Sequence, residues 1–166
     1  MQVPPNSDLT LGMVCLDKTT AGRCIWRMTA DERFANPAGI MQGGFLGAFA
    51  DSAMGAAAVT FVQGRKVFAA NAEMKVSFLA PVPPGATLIC TAEVIAGGSR
   101  VAFVEASVVA LDAPDPPPAT DASGATSATG TTGTGTRPAM PAGAAGAGGE
   151  RLVARATSTY IFRERG

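Results

Sequence analysis

Several stretches in the second half of the chain alternate apolar and polar positions. In VFAANAEMKVSFLAPV, residues 67–82, Ala70, Ala72, Met74, Val76 and Phe78 fall on one face and Asn71, Glu73, Lys75 and Ser77 on the other. A period of two is that of a half-buried strand. PVPPGATLICTAEVIA, residues 81–96, opens with a Pro-Pro-Gly turn and then sets Leu88, Cys90, Ala92 and Val94 against Thr87, Thr91 and Glu93, again a strand. Gly97-Gly98-Ser99 turns the chain into RVAFVEASVVAL, and RLVARATSTYIFRER follows near the C-terminus. Four long strands in succession predict an antiparallel meander. Upstream, LGMVCLDKT and GRCIWRMT predict a first hairpin.

The stretch NPAGIMQGGFLGAFADSAMGAAA, residues 36–58, has a different pattern: one acid, Asp51, stands in an otherwise uncharged and mostly apolar run. It predicts a helix beginning near Gly43. A helix apolar all round is buried all round, so about six strands should wrap it, in an α+β fold. A carboxylate inside such a helix costs several kcal/mol unless it is paired or used.

Projected on that helix, Gly44, Gly47, Ala48, Asp51 and Gly55 share a face. An interior glycine costs about 0.8–1 kcal/mol relative to alanine, so something should approach the backbone there, either another helix or a ligand. Tight packing around a paired Asp51 explains the same pattern. At the helix start, Gly43 and Gly44 leave their N–H groups unshielded where the macrodipole favours an oxyanion. Asn36, just upstream, offers an uncharged amide donor. Gly43 and Asp51 are eight residues apart, about 12 Å along a helix, whereas a donor and a base must both come within about 3 Å of one reacting group. One helix cannot supply both ends. If the chain is a hydrolase, two antiparallel helices of a symmetric dimer must share each site.

Composition narrows the chemistry. Residues 113–150 are almost entirely Pro, Gly, Ala, Ser and Thr, with no aliphatic side chain larger than alanine except Met140. Such a segment cannot bury enough apolar surface to offset its ordering entropy, so it is expected to be a disordered insertion within a hairpin of a single domain spanning residues 1–166. Lengthening a loop costs only about 0.6 kcal/mol per doubling. The 13 basic and 13 acidic residues cancel, which gives no support to nucleic-acid or anionic-membrane binding. No basic, apolar leader opens the chain and no strongly apolar run of membrane-spanning length is evident, so a cytoplasmic protein is expected. Cys15, Cys24 and Cys90 lack metal or disulfide spacing and are expected in the core or in strands. There is no histidine. Ser-His-Asp, Cys-His and His-ligated metal chemistry fall away together, and neither a metal nor a cofactor is expected.

NPAGIMQGGFLGAFAD, followed by NAEMKVSFLAPVPPGATLICTAEV and RLVARATSTYIF, resembles the hotdog-fold acyl-CoA thioesterases of the PaaI-like and 4-hydroxybenzoyl-CoA thioesterase type. The resemblance runs from about residue 22 to 163, apart from the insertion. The family's Asn-x-x-Gly-x-x-His-Gly-Gly core with an acid further along the helix reads here as Asn36, Gly39, Gln42, Gly43, Gly44 and Asp51. It implies an antiparallel sheet of five to six strands around one long helix, and a homodimer or homotetramer. It also implies hydrolysis of an acyl-CoA: the Gly43 N–H, with Asn36, would hold the thioester oxygen, while the partner's Asp51 would attack the carbonyl or activate a water. Asn71 falls where some relatives place a polar residue that orients the water, although its strand parity puts it on the polar face. Gln42 departs from the usual histidine and would serve in substrate orientation or in hydrogen-bonding the turn. Gly55 stands where some relatives carry threonine. Arg100 matches a position of basic residues that would meet the phosphates of coenzyme A, with Arg65 and Lys66 as further candidates.

A second reading is a non-catalytic acyl-CoA-binding hotdog, a sensor or carrier. A hotdog dehydratase would need a catalytic histidine. A structural dimer module leaves the glycine face unexplained.

Overall fold

The computed structural model describes residues 4–111 and 149–164. The insertion expected at 113–150 lies outside the described residues apart from its last two, and Glu150 already belongs to a strand. The elements are α1 (Asn6–Leu11), β1 (Val14–Asp17), β2 (Arg23–Thr29), a 3-10 turn (Glu32–Phe34), α2 (Gly43–Phe61), β3 (Val67–Phe78), β4 (Thr87–Gly97), β5 (Val101–Leu111) and β6 (Glu150–Glu164). The first hairpin pairs β1 with β2 as expected. The short α1 went unread in the sequence: its one buried apolar residue, Leu11, gives no helical period.

All six strands form one antiparallel sheet in the order β1-β2-β4-β5-β6-β3. The four-strand meander is therefore corrected. Only β4, β5 and β6 run as one, while β3 passes beyond them to pair with β6, and β2 takes the place beside β4. Alternation along a strand identifies its faces and not its neighbours, so the sequence pattern could not choose between the two orders.

α2 lies across the concave face, packed against β2 through β6. Leu46, Phe49, Ala50, Ala53, Met54, Ala57 and Ala58 are buried there against Met28, Leu88, Val104, Val108 and Val153. By length and a mean hydropathy of 1.3 this helix would also pass as a membrane span, although Asp51 and Ser52 interrupt its apolar run; the sheet covers its buried face. The wrapping is incomplete. Gly44, Phe45, Ala48 and Val59 remain exposed along one side, so the expectation of burial all round is corrected.

The thiols sit on strands, with Cys24 and Cys90 buried and Cys15 partly so. Cys24 donates to the Ala53 carbonyl at 3.1 Å, tying β2 to the middle of α2.

Candidate active site

The loop before α2 is closed by its own backbone. Ala35 bridges Met41, the Asn36 N–H donates to the Ile40 carbonyl at 2.8 Å, and the Gly39 N–H donates to the Asn36 carbonyl at 2.9 Å. Gly39 has φ +74°, the left-handed region that glycine enters without steric cost. The Asn36 side-chain oxygen accepts from the Ala38 N–H at 2.9 Å and the Ile40 N–H at 3.4 Å. Its amide nitrogen thereby becomes the end available for a ligand. Asn36 borders the helix start but does not line the groove along α2.

That groove, of about 660 Å³, runs along α2 and is lined by Gln42, Gly43, Gly44, Gly47, Ala48 and Asp51, with Met74, Val76 and Phe78 from β3 forming the other wall. It brings together four of the expected residues, Gln42, Gly43, Gly44 and Asp51. The glycines follow from the wall. A Cβ on Gly43 would stand 2.9 Å from the Phe78 ring, one on Gly47 would stand 3.8 Å from the Met74 methyl, and one on Gly44 would meet only open space. Gln42 precedes the helix with extended backbone (ψ 130°) and its side chain makes no capping hydrogen bond, which corrects the turn-bonding role.

Asp51 sits at the far end of the groove, and its partners answer the question that a lone acid in an apolar helix raises. The Asn71 amide donates to its Oδ1 at 2.6 Å, and the Tyr160 hydroxyl contacts the same oxygen at 2.6 Å and the Asp51 carbonyl at 2.8 Å. Ser158 contacts the Asn71 side-chain oxygen at 2.8 Å and the Glu73 carbonyl at 2.7 Å, so Asn71 is held with its nitrogen toward the acid.

Asn71 faces the helix and not the polar side that strand parity predicts, because of one feature of β3. The register against β6 shifts between Asn71 and Glu73, a bulge at Ala72 that exchanges the faces of the strand. Before it the odd positions look toward α2, and after it Met74, Val76 and Phe78 do. Asn71 pairs directly with Tyr160 across the ladder, and both reach the helix.

Ser158 and Tyr160 were missed. Tyr160 reads from the sequence as one more apolar position of the last strand, and it is buried. Burial, together with the adjacent carboxylate, raises the pKa of its phenol far above the ordinary value of 10.0. It is therefore a neutral donor at physiological pH. Ser52, the residue after Asp51, donates at 2.9 Å to Asp8 of α1, a buried carboxylate that also went unread.

The basic candidates lie elsewhere. Arg65 follows the C-terminal end of α2 and donates to the Ser99 carbonyl at 2.9 Å, beside the turn that carries the exposed Arg100. Arg65, Lys66, Val67 and Glu164 line a small cleft of about 240 Å³ there. The structure thus groups Arg65, Lys66 and Arg100 at the end of α2 opposite to Gly43, and does not bring them into the groove of the same chain.

Residues 38–115 match the family described as the thioesterase superfamily. No curated protein matches the chain. Among solved structures, the chain is similar to the PaaI protein of the Escherichia coli phenylacetic acid degradation operon, with a TM-score of 0.68 and 17% identity over 98% of this chain and 86% of that one. A thioesterase family protein of Silicibacter pomeroyi aligns with a TM-score of 0.70 and 21% identity over 97% and 91% of the two chains. A thioesterase of Haemophilus influenzae aligns with a TM-score of 0.66 and 13% identity over 97% and 85%. At these identities the likeness is one of fold.

Proposed function

We propose that the chain is a hotdog-fold member of the thioesterase superfamily, and that it hydrolyses an acyl-CoA thioester with Asp51 as nucleophile or general base. One observation carries the reading: a carboxylate held through a single oxygen by two neutral donors stands in the same open groove as the unshielded glycines of a helix N-terminus. A carboxylate needed only for stability would have no reason to face a groove of this size.

In this reading the thioester oxygen rests on the Gly43 N–H, where the helix dipole and an unused amide favour developing negative charge, with the Asn36 amide completing the contact. Asp51 either forms a bond to the carbonyl carbon itself or takes a proton from the water that does. The carbonyl electron pair moves to oxygen, then returns as the carbon–sulfur bond breaks and the thiolate leaves. In the water route the proton taken by Asp51 passes to that thiolate. In the direct route water then cleaves the acyl–Asp51 anhydride, its proton going to the thiolate, so that both routes end in free acid, thiol and regenerated Asp51. Gly43 and Asp51 are about 12 Å apart along α2, so the two halves come from two chains of a homodimer, each α2 lying antiparallel to its partner along the exposed side that bears Gly44, Ala48 and Val59. That arrangement carries the C-terminal end of the partner helix, with its Arg65, Lys66 and Arg100, toward the Gly43 end of the groove, where the phosphates of coenzyme A would lie.

Thiol release from short, medium, long and aromatic acyl-CoAs, measured for the wild type and Asp51→Asn side by side, tests this. Removing the charge while keeping the size should lower turnover by roughly a hundredfold or more with the fold intact. Equal turnover in the two proteins would overturn the reading. Binding of acyl-CoA without turnover by either would establish the sensor or carrier reading in its place.

A further inference from the structure

We infer that Tyr160 is a positioning residue for Asp51, fixing Oδ1 as the anchored oxygen and leaving Oδ2 as the atom that attacks or takes the proton; this rests on the thioester-hydrolysis reading above. Asn71 and Tyr160 both meet Oδ1, each at 2.6 Å, and among the described residues nothing donates to Oδ2. Two donors on one oxygen draw its charge inward and fix the plane of the carboxyl group, because rotation about the Cβ–Cγ bond would break both bonds together.

The hydroxyl has a single proton and two acceptors in reach, the carboxylate at 2.6 Å and the Asp51 carbonyl at 2.8 Å. The carboxylate is the nearer and the charged one, and charge-assisted hydrogen bonds are the stronger. Tyr160 belongs to β6, a strand hydrogen-bonded on both sides, and is directly paired with Asn71 on one side and Ala102 on the other. It is therefore a rigid donor, while Asn71 lies on the edge strand next to a bulge.

Gly55 completes the arrangement. A Cβ there would stand 3.5 Å from the Tyr160 ring and 3.6 Å from its hydroxyl. The helix surface one turn beyond Asp51 is thus bare where a phenol from the sheet takes the space. A hydroxyl delivered from position 55 would occupy nearly the same place.

The other titratable groups near the acid are turned away from it. Glu73 of β3 accepts from Thr159 at 2.9 Å, on the opposite face of the sheet from Asn71, and Asp8 of α1 is engaged by Ser52. Cys24 of β2 donates to the Ala53 carbonyl. Tyr160 is accordingly the titratable side chain in contact with Asp51.

The experiment compares thiol release across pH for the wild type, Tyr160→Phe, and Tyr160→Phe combined with Gly55→Ser. Losing the phenol proton should lower kcat by about tenfold with KM within about twofold, and should move the acid limb of kcat/KM upward by about one pH unit, since a donor to the charged form is gone. The serine should recover part of both changes, which a merely structural tyrosine does not predict. Tyr160 is the only tyrosine in the chain, so growth on 3-fluorotyrosine labels this position alone without altering the packing. Its more acidic phenol should shift the acid limb downward, and this arm stands even if the phenylalanine variant does not fold. An acid limb unmoved in the fluorinated enzyme overturns the inference, as does wild-type kcat in a folded Tyr160→Phe. If Asp51→Asn is inactive while both tyrosine arms are silent, the positioning role alone fails; if Asp51→Asn is fully active, the hydrolytic reading fails and takes the positioning role with it.

Discussion

At the scale of single residues, the site depends on how its polar groups are satisfied in an apolar setting. Ser158 is buried on β6 and spans the Asn71 side chain and the Glu73 carbonyl. The single hydroxyl proton serves one of the two acceptors at a time, so Ser158→Ala costs that one hydrogen bond, a loss of about 1–3 kcal/mol for a buried group. It also frees the Asn71 amide to rotate. We expect a lower Tm together with a severalfold drop in kcat, read by calorimetry and thiol release; an unchanged kcat would remove Ser158 from the relay behind Asp51. The thiols give a separate prediction. Burial pushes Cys24 up to about 11 and Cys90 up to about 12, from an ordinary 9.0. Above pH 9 the unfolded chain releases protons that the folded chain keeps, so the stability tied to these thiols is complete below pH 9 and is lost as pH rises toward 11 and 12. Tm should be flat near neutrality and fall beyond pH 9, and Cys24→Ala should make that fall shallower.

At the scale of elements, α2 carries most of what could be read in advance. Its start at Gly43, its acid and its glycine face follow from a run that is apolar apart from one charge, and such a run has few other ways to fold. Asn71 was placed on the wrong face because a bulge is a tertiary event: a single extra residue at Ala72 reverses every side chain before it, and nothing in the alternation of VFAANAEMKVSF reports it. Tyr160 was invisible for a related reason, since an apolar ring on a strand is the ordinary content of a core. The glycines allow a test at this scale. A Cβ on Gly47 would make ordinary contact with Met74 at 3.8 Å, so Gly47→Ala should gain up to about 1 kcal/mol from helix propensity. If the groove exists for a ligand, the same methyl group should raise KM for the acyl-CoA that it turns over. Higher Tm with worse KM identifies a glycine kept for close approach; higher Tm with unchanged kinetics identifies one kept for nothing the substrate uses.

At the scale of the whole molecule, the sheet edge and the open side of α2 set what the chain does alone and what it does with a copy of itself. β5 and β6 stay paired beyond a register shift between Val108 and Val109, with Leu111 opposite Glu150, so the residues between them can be replaced by a two-residue Asn-Gly turn suited to an antiparallel pair. That replacement should leave Tm no lower and thiol release close to wild type, because shortening a loop reduces its closure entropy; a large loss of activity would assign the segment a role at the site. The shared site makes a sharper claim. Gly43→Pro removes the one N–H proposed to hold the oxyanion, at a first helical position where proline fits and after a residue whose extended backbone tolerates it, with the half-exposed Phe78 ring free to move aside. Asp51→Asn removes the carboxylate. Each variant alone should be nearly inactive. If every site takes Gly43 from one chain and Asp51 from the other, a mixed dimer contains one site with both groups intact and one with neither. Unfolding and refolding the two variants together in equal amounts should then recover about one quarter of wild-type activity, since half of the dimers are mixed and each has one working site. A chain that held both groups in its own site would recover none.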